Sequence, residues 1–225
     1  MSKTQTWLKT TSFKNYIIES AIADASFRKY YRLRDGSKTA LLMDSSLEKE
    51  SLKSFLGITS ILQNVDVGVP KIFEQNTEEG FLILEDFGTK HYLDILNQNN
   101  FKAYYTKAMN TILKMQKADV AGLRLYDKEF LHVEMDLMQE WYIEKYLHVK
   151  PTELQKELIA NTLDTISNIV LEQPQDTFVH RDFHSRNIML KENNKLGIID
   201  YQDAMNGAIT YDLVSLLKDC YVAYD

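Results

Sequence analysis

The stretch from Phe178 to Ala204 constrains the fold of this 225-residue chain more than any other part of it. Its polar side chains lie among short apolar runs and are His180, Asp182, Asn187, Asp200 and Asp203. The apolar runs, residues 188–190 and 196–199, have the length of strands, and the polar turn at 193–195 between them predicts a hairpin. Buried strands fix the polar side chains at their ends, so the stretch predicts a cleft lined by carboxylate and amide groups.

The spacing of these polar residues indicates a specific chemistry. His180-Arg181-Asp182, four further residues and Asn187 match the kinase catalytic-loop pattern H-R-D-x-x-x-x-N, and an apolar strand then ends in Asp200. Phosphoryl transfer needs a carboxylate to accept the proton of the attacking hydroxyl, and it needs oxygen ligands for Mg²⁺. We therefore predict Asp182 as the catalytic base and Asn187 and Asp200 as ligands of Mg²⁺. Four specified residues match by chance in about one such chain in a thousand.

Two other interpretations of this stretch need to be weighed. The first is a simple hairpin with an incidental capping aspartate and surface histidines. The second takes His180 and His184, four residues apart, as the metal ligands of a metalloprotease. That site requires a helix with a glutamate between the histidines, as in H-E-x-x-H, whereas strand and loop are predicted here. Metalloprotease chemistry is therefore disfavoured.

The composition excludes several classes of partner. A hydrophobic content of 44% and a charged content of 26% are typical of a folded globular protein. The net charge of −6, without a Lys/Arg-rich stripe, disfavours a nucleic-acid partner. The single cysteine, the polar N-terminal segment and the lack of a run near the roughly 20 apolar residues of a membrane span predict a cytoplasmic protein away from the membrane. No obligate protein partner is evident.

The order of the predicted elements indicates an α+β fold of two lobes. The turn Asp35-Gly36 predicts a hairpin between residues 27–34 and 38–44. A helix over 46–64 and strands over 69–74 and 81–85 complete a small antiparallel sheet with one helix. Helices then dominate, and their predicted ranges are 92–98, 101–117, 129–148 and 152–171. We predict lobes of residues 1–87 and 88–225, with Gly88 at the boundary.

Two helical segments carry further predictions. The helix over 129–148 has an apolar stripe, which we predict as core in preference to pocket wall. The stripe consists of Phe130, Val133, Leu137, Trp141 and Tyr142. The run 212–222 predicts a buried helix close to the last residue, Asp225, which favours a truncated C-terminal lobe.

Six segments of the chain resemble the aminoglycoside phosphotransferase-like kinases, a branch of the protein-kinase-like fold that phosphorylates small molecules. The segments are ASFRKYYRL, LLMD, GFLILEDFG, VHRDFHSRNIM, IIDYQDA and ITYDLVSLLKDCY. Within this family they are most similar to bacterial anomeric kinases that act on N-acetylmuramate and N-acetylglucosamine in cell-wall recycling. The resemblance covers essentially the whole chain. It implies transfer of phosphate from ATP to the C1 hydroxyl of a small sugar, and further helices beyond residue 225.

The resemblance also implies roles for individual residues. Asp212 would brace the catalytic loop, and His180 would be structural as well. Backbone groups would bind the nucleotide, at the turn that contains Ser26 and Phe27 and in the hinge that contains Glu85, Asp86 and Phe87. The residues implied in acceptor binding are His184, Arg186 and Asp203. For Asp203, contact with a second metal and capping of the next turn remain open.

One departure from the kinase pattern leaves a role unassigned. Met43 stands on the strand where protein kinases place the lysine that holds the nucleotide phosphates. We hypothesise that Arg28 or Arg32 supplies the missing charge, although both are equally compatible with solvated arginines of a sheet face. Two further functions stay open: a kinase of another acceptor (an aminoglycoside, choline or homoserine), and a nucleotide-binding pseudokinase. The intact set of Asp182, Asn187 and Asp200 speaks against the pseudokinase.

Overall fold

The computed structural model describes residues 2–22, 28–192 and 194–224. The helices are α1 Lys3–Leu8, α2 Lys49–Asn64, α3 Tyr92–Ile95, α4 Phe101–Met115, α5 Lys128–Leu137, α6 Glu153–Leu171 and α7 Tyr211–Leu217. The strands are β1 Ile17–Ile22, β2 Lys29–Asp35, β3 Lys38–Asp44, β4 Ile72–Asn76, β5 Phe81–Glu85, β6 Thr177–Val179, β7 Ile188–Leu190, β8 Leu196–Ile198 and β9 Met205–Gly207. A π-helical segment, Met138–Tyr146, continues α5.

The N-terminal part is a five-stranded antiparallel sheet in the order β1-β2-β3-β5-β4. Asp35 pairs with Lys38 across the turn between β2 and β3, which confirms the predicted hairpin. Strand β5 lies between β3 and β4, and its residues Phe81–Leu84 are all buried. A strand covered on both faces needs a continuous apolar run rather than an alternating one. The sequence FLIL supplies that run.

The apolar core continues from the sheet into the helical part of the molecule. Its largest cluster joins Met43 of β3 and Leu62 of α2 to Ile112 of α4 and Ile198 of β8. Each large aliphatic side chain buried there contributes roughly 1.5–3 kcal/mol. The predicted α+β class, a small antiparallel sheet and helix followed by a mainly helical part, is confirmed. The lobe boundary between residues 87 and 88 stays a prediction, since one core serves both parts.

Two antiparallel two-stranded sheets lie in the helical part and hold the polar stretch. One pairs β6 with β9, and the other is the hairpin of β7 and β8. The β7–β8 pair sits against the segment that precedes β4, where Ile198 N donates to Gly68 O at 2.7 Å. A Cβ atom on Gly68 would lie 2.2 Å from the backbone oxygen of Leu196. This close approach fixes the position of β8, and with it the residues that follow the strand.

We expect Gly68→Ala to lower the free energy of unfolding by about 1–3 kcal/mol, because the added methyl group meets backbone and must displace β8. Gly57→Ala is the matched control. A Cβ atom on Gly57 has nothing within 4 Å, and alanine favours helix α2 by roughly 0.8–1 kcal/mol over glycine. Urea unfolding of both variants checks the pair. Equal stability of the two variants would contradict this account of the Gly68 contact.

The predicted core stripe of the helix over 129–148 is wrong for four of its five members. Val133, Leu137, Trp141 and Tyr142 are 50–57% exposed, and only Phe130 packs beside a buried cluster. A helical period identifies an apolar face but does not say whether another element covers it. In addition, Trp141 and Tyr142 lie in the π-helical segment, whose hydrogen bonds span five residues and depart from the α-helical spacing on which the prediction rested.

The last predicted helix is shorter than expected. Helix α7 ends at Leu217 instead of extending to residue 222, and Val214 and Leu217 are more than half exposed. Only part of this apolar run is therefore helical, and only part of the helix is buried.

Across the described ranges, no helix is both long enough and apolar enough to cross a bilayer.

Candidate active site

The loop between β6 and β7 carries the predicted catalytic residues, and side chains of α7 and the turn after it hold its backbone. Asp212 is buried and accepts hydrogen bonds from the backbone N–H groups of His180 at 2.8 Å and Arg181 at 3.0 Å. Ser215 donates to the carbonyl oxygen of Arg181 at 3.0 Å. Asp219 accepts from the N–H of Ser185 at 2.7 Å. Both ends of the loop are thus fixed from one side.

Sequence reasoning identified Asp212 through the family resemblance but missed Ser215 and Asp219. Their spacing from Asp212, three and seven residues, is that of one face of the helix predicted over 212–222, although Asp219 in fact follows the end of α7. A polar stripe of this kind on an otherwise apolar helix was the signal that could have found them.

His180 ties the start of the loop to the end of β8. Its ring is fully buried, and Nε2 donates to the carbonyl oxygen of Ile199 at 3.0 Å. Burial lowers the pKa of His180 to about 4, so the ring is neutral near pH 7. Burial also raises the pKa of Asp212 to about 7, against the opposing effect of its two backbone donors. Neither side chain lines the cavity that Asp182 faces, and both hold the catalytic loop in place.

The pKa of His180 predicts an acid-sensitive fold. Its value in the folded protein lies below the ordinary 6.5, so the unfolded chain binds more protons as the pH falls from 6.5 towards 4. The contribution of neutral His180 to the free energy of unfolding is fully present above pH 6.5. About 3 kcal/mol of that contribution is lost by pH 4. The raised pKa of Asp212 changes the stability in the opposite direction on acidification. This contribution is present in both the wild type and His180→Gln.

The difference in pH dependence between these two proteins therefore isolates His180. Urea unfolding at several values between pH 7.5 and 4.5 should give the wild type an additional loss of stability on acidification. Parallel curves for the wild type and His180→Gln would contradict the assignment.

Asp182, Asn187 and Asp200 line the same cavity, and the Asn187 side chain contacts both of the other residues. The amide Nδ2 of Asn187 donates to the carbonyl oxygen of Asp182 at 3.0 Å and lies 3.3 Å from Oδ2 of Asp200. Asp182 is exposed where it faces the cavity. The rest of the residue is surrounded by protein, and this partial burial raises the pKa of its carboxyl. The Arg181 guanidinium lowers that pKa to a smaller extent.

The backbone is strained at two positions beside these groups. Arg181 has a φ of 79° and Asp200 a φ of 63°, in the left-handed region that costs a residue with a side chain roughly 1–2 kcal/mol. Such strain persists only where the surroundings over-determine it, and it concentrates at functional sites. Here the backbone N–H of Arg181 donates to Asp212, and Gln202 donates to Asp200 Oδ1 at 2.9 Å.

The pair of Asn187 and Asp200 fits a magnesium ion. Both supply oxygen donors at the cavity wall, and Mg²⁺ in phosphoryl-transfer sites takes one or two protein ligands and completes its shell with phosphate and water. Within the described ranges, no group of three or more His, Cys, Asp or Glu side chains could hold a metal. An amide binds Mg²⁺ through oxygen, so Asn187 must present Oδ1 in place of the Nδ2 that now donates. The metal role of these residues stays a proposal.

A cavity of about 560 Å³ separates the sheet from the catalytic loop, which is within the usual size of a small-molecule site. From the sheet and the hinge, its wall includes Tyr30, Arg32, Leu41, Leu84, Glu85, Phe87 and Gly88. From the helical part, its wall includes His91, Asp182, His184, Arg186, Asn187, Asp200 and Tyr221. Most of the predicted site residues therefore share one cavity.

Ion pairs fix the hinge from both sides. Arg32 of β2 binds Asp86 with two bonds, Nε to Oδ2 at 2.7 Å and Nη2 to Oδ1 at 3.1 Å. Lys191, which follows β7, binds Glu85 Oε1 at 2.6 Å. The Phe87 ring packs directly on Gly197, where a Cβ atom would lie 2.3 Å from the ring. Contact of the hinge backbone with adenine stays a prediction, and the ion-paired side chains hold the hinge itself.

The remaining predicted residues are placed as follows. Arg28 is buried, with its guanidinium carbon 5.9 Å from the Phe55 ring centre, and the Arg32 charge is engaged by Asp86. The hypothesis that one of them binds phosphate stays open. Asp203 is exposed and accepts from Gln202 Nε2 at 3.1 Å, which is compatible with each of its proposed roles. Ser26 and Phe27 lie outside the described residues.

The sequence model of the phosphotransferase enzyme family matches residues 18–224 of the chain. The chain belongs to this family. Among curated relatives, the N-acetylmuramate/N-acetylglucosamine kinase of Pseudomonas aeruginosa is 39% identical over 208 residues, which are 91% of this chain and 60% of that protein. The protein of the same name from Neisseria meningitidis serogroup B is 35% identical over 231 residues, 99% of this chain and 68% of that protein. The predicted family is thus confirmed.

The chain spans about 60% of the length of the first relatives that it matches. Solved phosphotransferase structures show the same fold. The ADP-bound aminoglycoside phosphotransferase APH(2'')-Ib aligns with a TM-score of 0.71 at 17% identity, over 98% of this chain and 76% of that one. Choline kinase LicA from Streptococcus pneumoniae aligns with a TM-score of 0.60 at 13% identity, over 96% of this chain and 74% of that one. At such identities the likeness concerns the fold.

Proposed function

We propose that this phosphotransferase transfers the γ-phosphoryl group of ATP to the anomeric hydroxyl of N-acetylmuramate and N-acetylglucosamine. The convergence of Asp182, Asn187 and Asp200 at one cavity carries the proposal, because phosphoryl transfer needs a proton acceptor and a metal clamp at the same point. The names of relatives at 35–39% identity support the choice of acceptor. A cytoplasmic enzyme, with ready access to ATP, fits this activity.

Asp182 performs the central step for the acceptor. Its carboxylate orients the C1 hydroxyl and accepts the proton while the oxygen forms a bond to the γ-phosphorus and the bond from that phosphorus to the bridging oxygen of ADP breaks. Partial desolvation, which raises the pKa of Asp182, makes the carboxylate a better proton acceptor. An anomeric hydroxyl is the most acidic hydroxyl of a sugar, so a carboxylate base is sufficient for it.

Asn187 and Asp200 would hold Mg²⁺, which neutralises phosphate charge when bound. The residues themselves are positioned by the fold. Asn187 immediately precedes β7 and Asp200 follows the end of β8, and these two strands pair antiparallel through Ile188 and Ile198. The pairing therefore brings the amide and the carboxylate together at one end of the hairpin.

A panel of acceptors tests the proposed function. Formation of ADP from Mg-ATP should depend on N-acetylmuramate or N-acetylglucosamine, and it should be at least about tenfold slower with an aminoglycoside, choline or homoserine at equal concentration. Faster ADP formation with an aminoglycoside, choline or homoserine would identify that compound, and not the sugar, as the acceptor. Nucleotide binding without ADP formation on any acceptor would identify a pseudokinase.

A further inference from the structure

One wall of the cavity joins the catalytic loop to the turn after α7. The rings of His184 and Tyr221 lie 5.3 Å apart, at 69° to each other. The guanidinium carbon of Arg186 lies 5.0 Å from the centre of the Tyr221 ring, and its Nη1 is 3.5 Å from the Tyr221 hydroxyl. All three side chains line the cavity that contains Asp182. They form an aromatic surface with a cation at its edge, which we call the Arg186–Tyr221 wall.

The position of this wall relative to Asp182 is fixed by Asp219. One carboxylate oxygen of Asp219 accepts from the N–H of Ser185 in the catalytic loop at 2.7 Å, and the other accepts from the N–H of Tyr221 at 2.9 Å. Asp219 is only 8% exposed, so these bonds are shielded from water. The backbone of Tyr221 and the catalytic loop are therefore held by the same carboxylate, which keeps the wall beside Asp182.

The charges of the cavity single out Arg186. Asp182 and Asp200 make this region unfavourable for an anionic acceptor unless a cation compensates. Arg32 also lines the cavity, but its guanidinium is bound to Asp86. Arg186 is exposed and, within the part of the chain that the structure describes, has no carboxylate within ion-pair distance. Its guanidinium is thus available to an acidic group that enters the cavity.

The two proposed sugars differ in one chemical group that this arrangement can distinguish. N-acetylmuramate carries a lactyl ether with a carboxylate, and N-acetylglucosamine has a hydroxyl in its place. A guanidinium matches a carboxylate with two parallel hydrogen bonds, and such charge-assisted bonds are about twice as strong as neutral ones. An aromatic ring beside the cation provides a surface for the apolar face of a sugar ring.

We propose that the Arg186–Tyr221 wall binds the lactyl carboxylate of N-acetylmuramate and makes the enzyme prefer this acidic sugar over N-acetylglucosamine. The inference rests on the proposed function for the position of the sugar in the cavity. Arg186 supplies the selectivity, and Tyr221 orients the guanidinium and contacts both sugars. Arg186 is therefore a specificity-determining residue of the acceptor site.

Calorimetric binding of each sugar tests the inference, with the full-length protein, Mg²⁺ and a non-hydrolysable ATP analogue present. The measured quantity is the ratio of the two affinities. We expect the wild type to favour N-acetylmuramate and Arg186→Met to lower the ratio by about 10- to 100-fold. Tyr221→Ala should weaken the binding of both sugars. A ratio near one in the wild type, or a ratio unchanged in Arg186→Met, overturns the inference.

Arg124→Met is the matched control. Arg124 is also exposed and lies over an aromatic ring, 4.5 Å from the centre of Phe130, but it does not line the cavity. Its replacement should leave both affinities unchanged, and a loss of selectivity in this variant counts against the inference. Turnover is measured separately. Binding that is selective through Arg186 but gives no ADP formation would contradict the proposed function and leave the inference standing. Turnover of both sugars with a selectivity that does not depend on Arg186 would contradict the inference and leave the proposed function standing.

Discussion

Replacing Asp182 by asparagine should lower kcat by about 10²- to 10⁴-fold, the usual contribution of general base catalysis. Asparagine has nearly the same shape but cannot accept the proton of the proposed acceptor hydroxyl. The loop should keep its conformation, because Asp212 and Asp219 hold it through backbone N–H groups that the substitution leaves intact. Steady-state ADP formation at saturating sugar and Mg-ATP measures the effect.

Asp136→Asn is the control for this substitution. Asp136 is an exposed aspartate of α5 that does not line the cavity, so its loss of charge should leave kcat unchanged. A kcat of Asp182→Asn within about threefold of the wild type would show that proton transfer does not depend on this carboxylate. The base would then have to be another group.

Replacing Asp200 by asparagine should lower kcat by about 100-fold or more and raise the Mg²⁺ concentration needed for half-maximal activity. The charge that holds the metal is lost while the fold is kept, since asparagine tolerates the observed φ of 63° as well as aspartate does. Titration of activity with MgCl₂ separates the two effects. Unfolding by urea should show little change.

The Mg²⁺ requirement is the decisive part of this second prediction. If Asp200→Asn lost activity but kept the wild-type requirement for Mg²⁺, Asp200 would act on the substrate or on the loop and not on the metal. Asp203→Asn provides the comparison within the same turn. A raised Mg²⁺ requirement in that variant as well would favour the second-metal role that stays open for Asp203.

Local sequence patterns predicted the parts of the fold that local physics controls. The hairpin at Asp35-Gly36 followed from turn chemistry, and strand β5 was predicted over the residues that form it, 81–85. The hairpin of β7 and β8 followed in the same way, and it brings Asn187 and Asp200 together although they are 13 residues apart. The candidate site was predictable because most of it lies in one continuous stretch.

The contacts that sequence reasoning missed join residues that lie far apart in the chain. Arg32 and Asp86 are 54 residues apart, and Ser185 and Asp219 are 34 residues apart. A single sequence gives no signal for such pairs, because each side chain alone is compatible with a solvated position. The prediction that the apolar stripe of α5 and the π-helical segment is core was wrong for a related reason. Periodicity shows which face is apolar, and only the fold decides what covers it.

The position of the phosphate in the product tests the central claim most directly. The enzyme is incubated with Mg-ATP and N-acetylmuramate, and a two-dimensional ¹H–³¹P NMR spectrum of the product identifies the carbon that carries the ester. The account predicts a correlation between phosphorus and the anomeric proton H1, formed by the wild type and at least about 100-fold more slowly by Asp182→Asn. Phosphate on any other carbon of the sugar, or ATP consumption without a sugar phosphate, would contradict it.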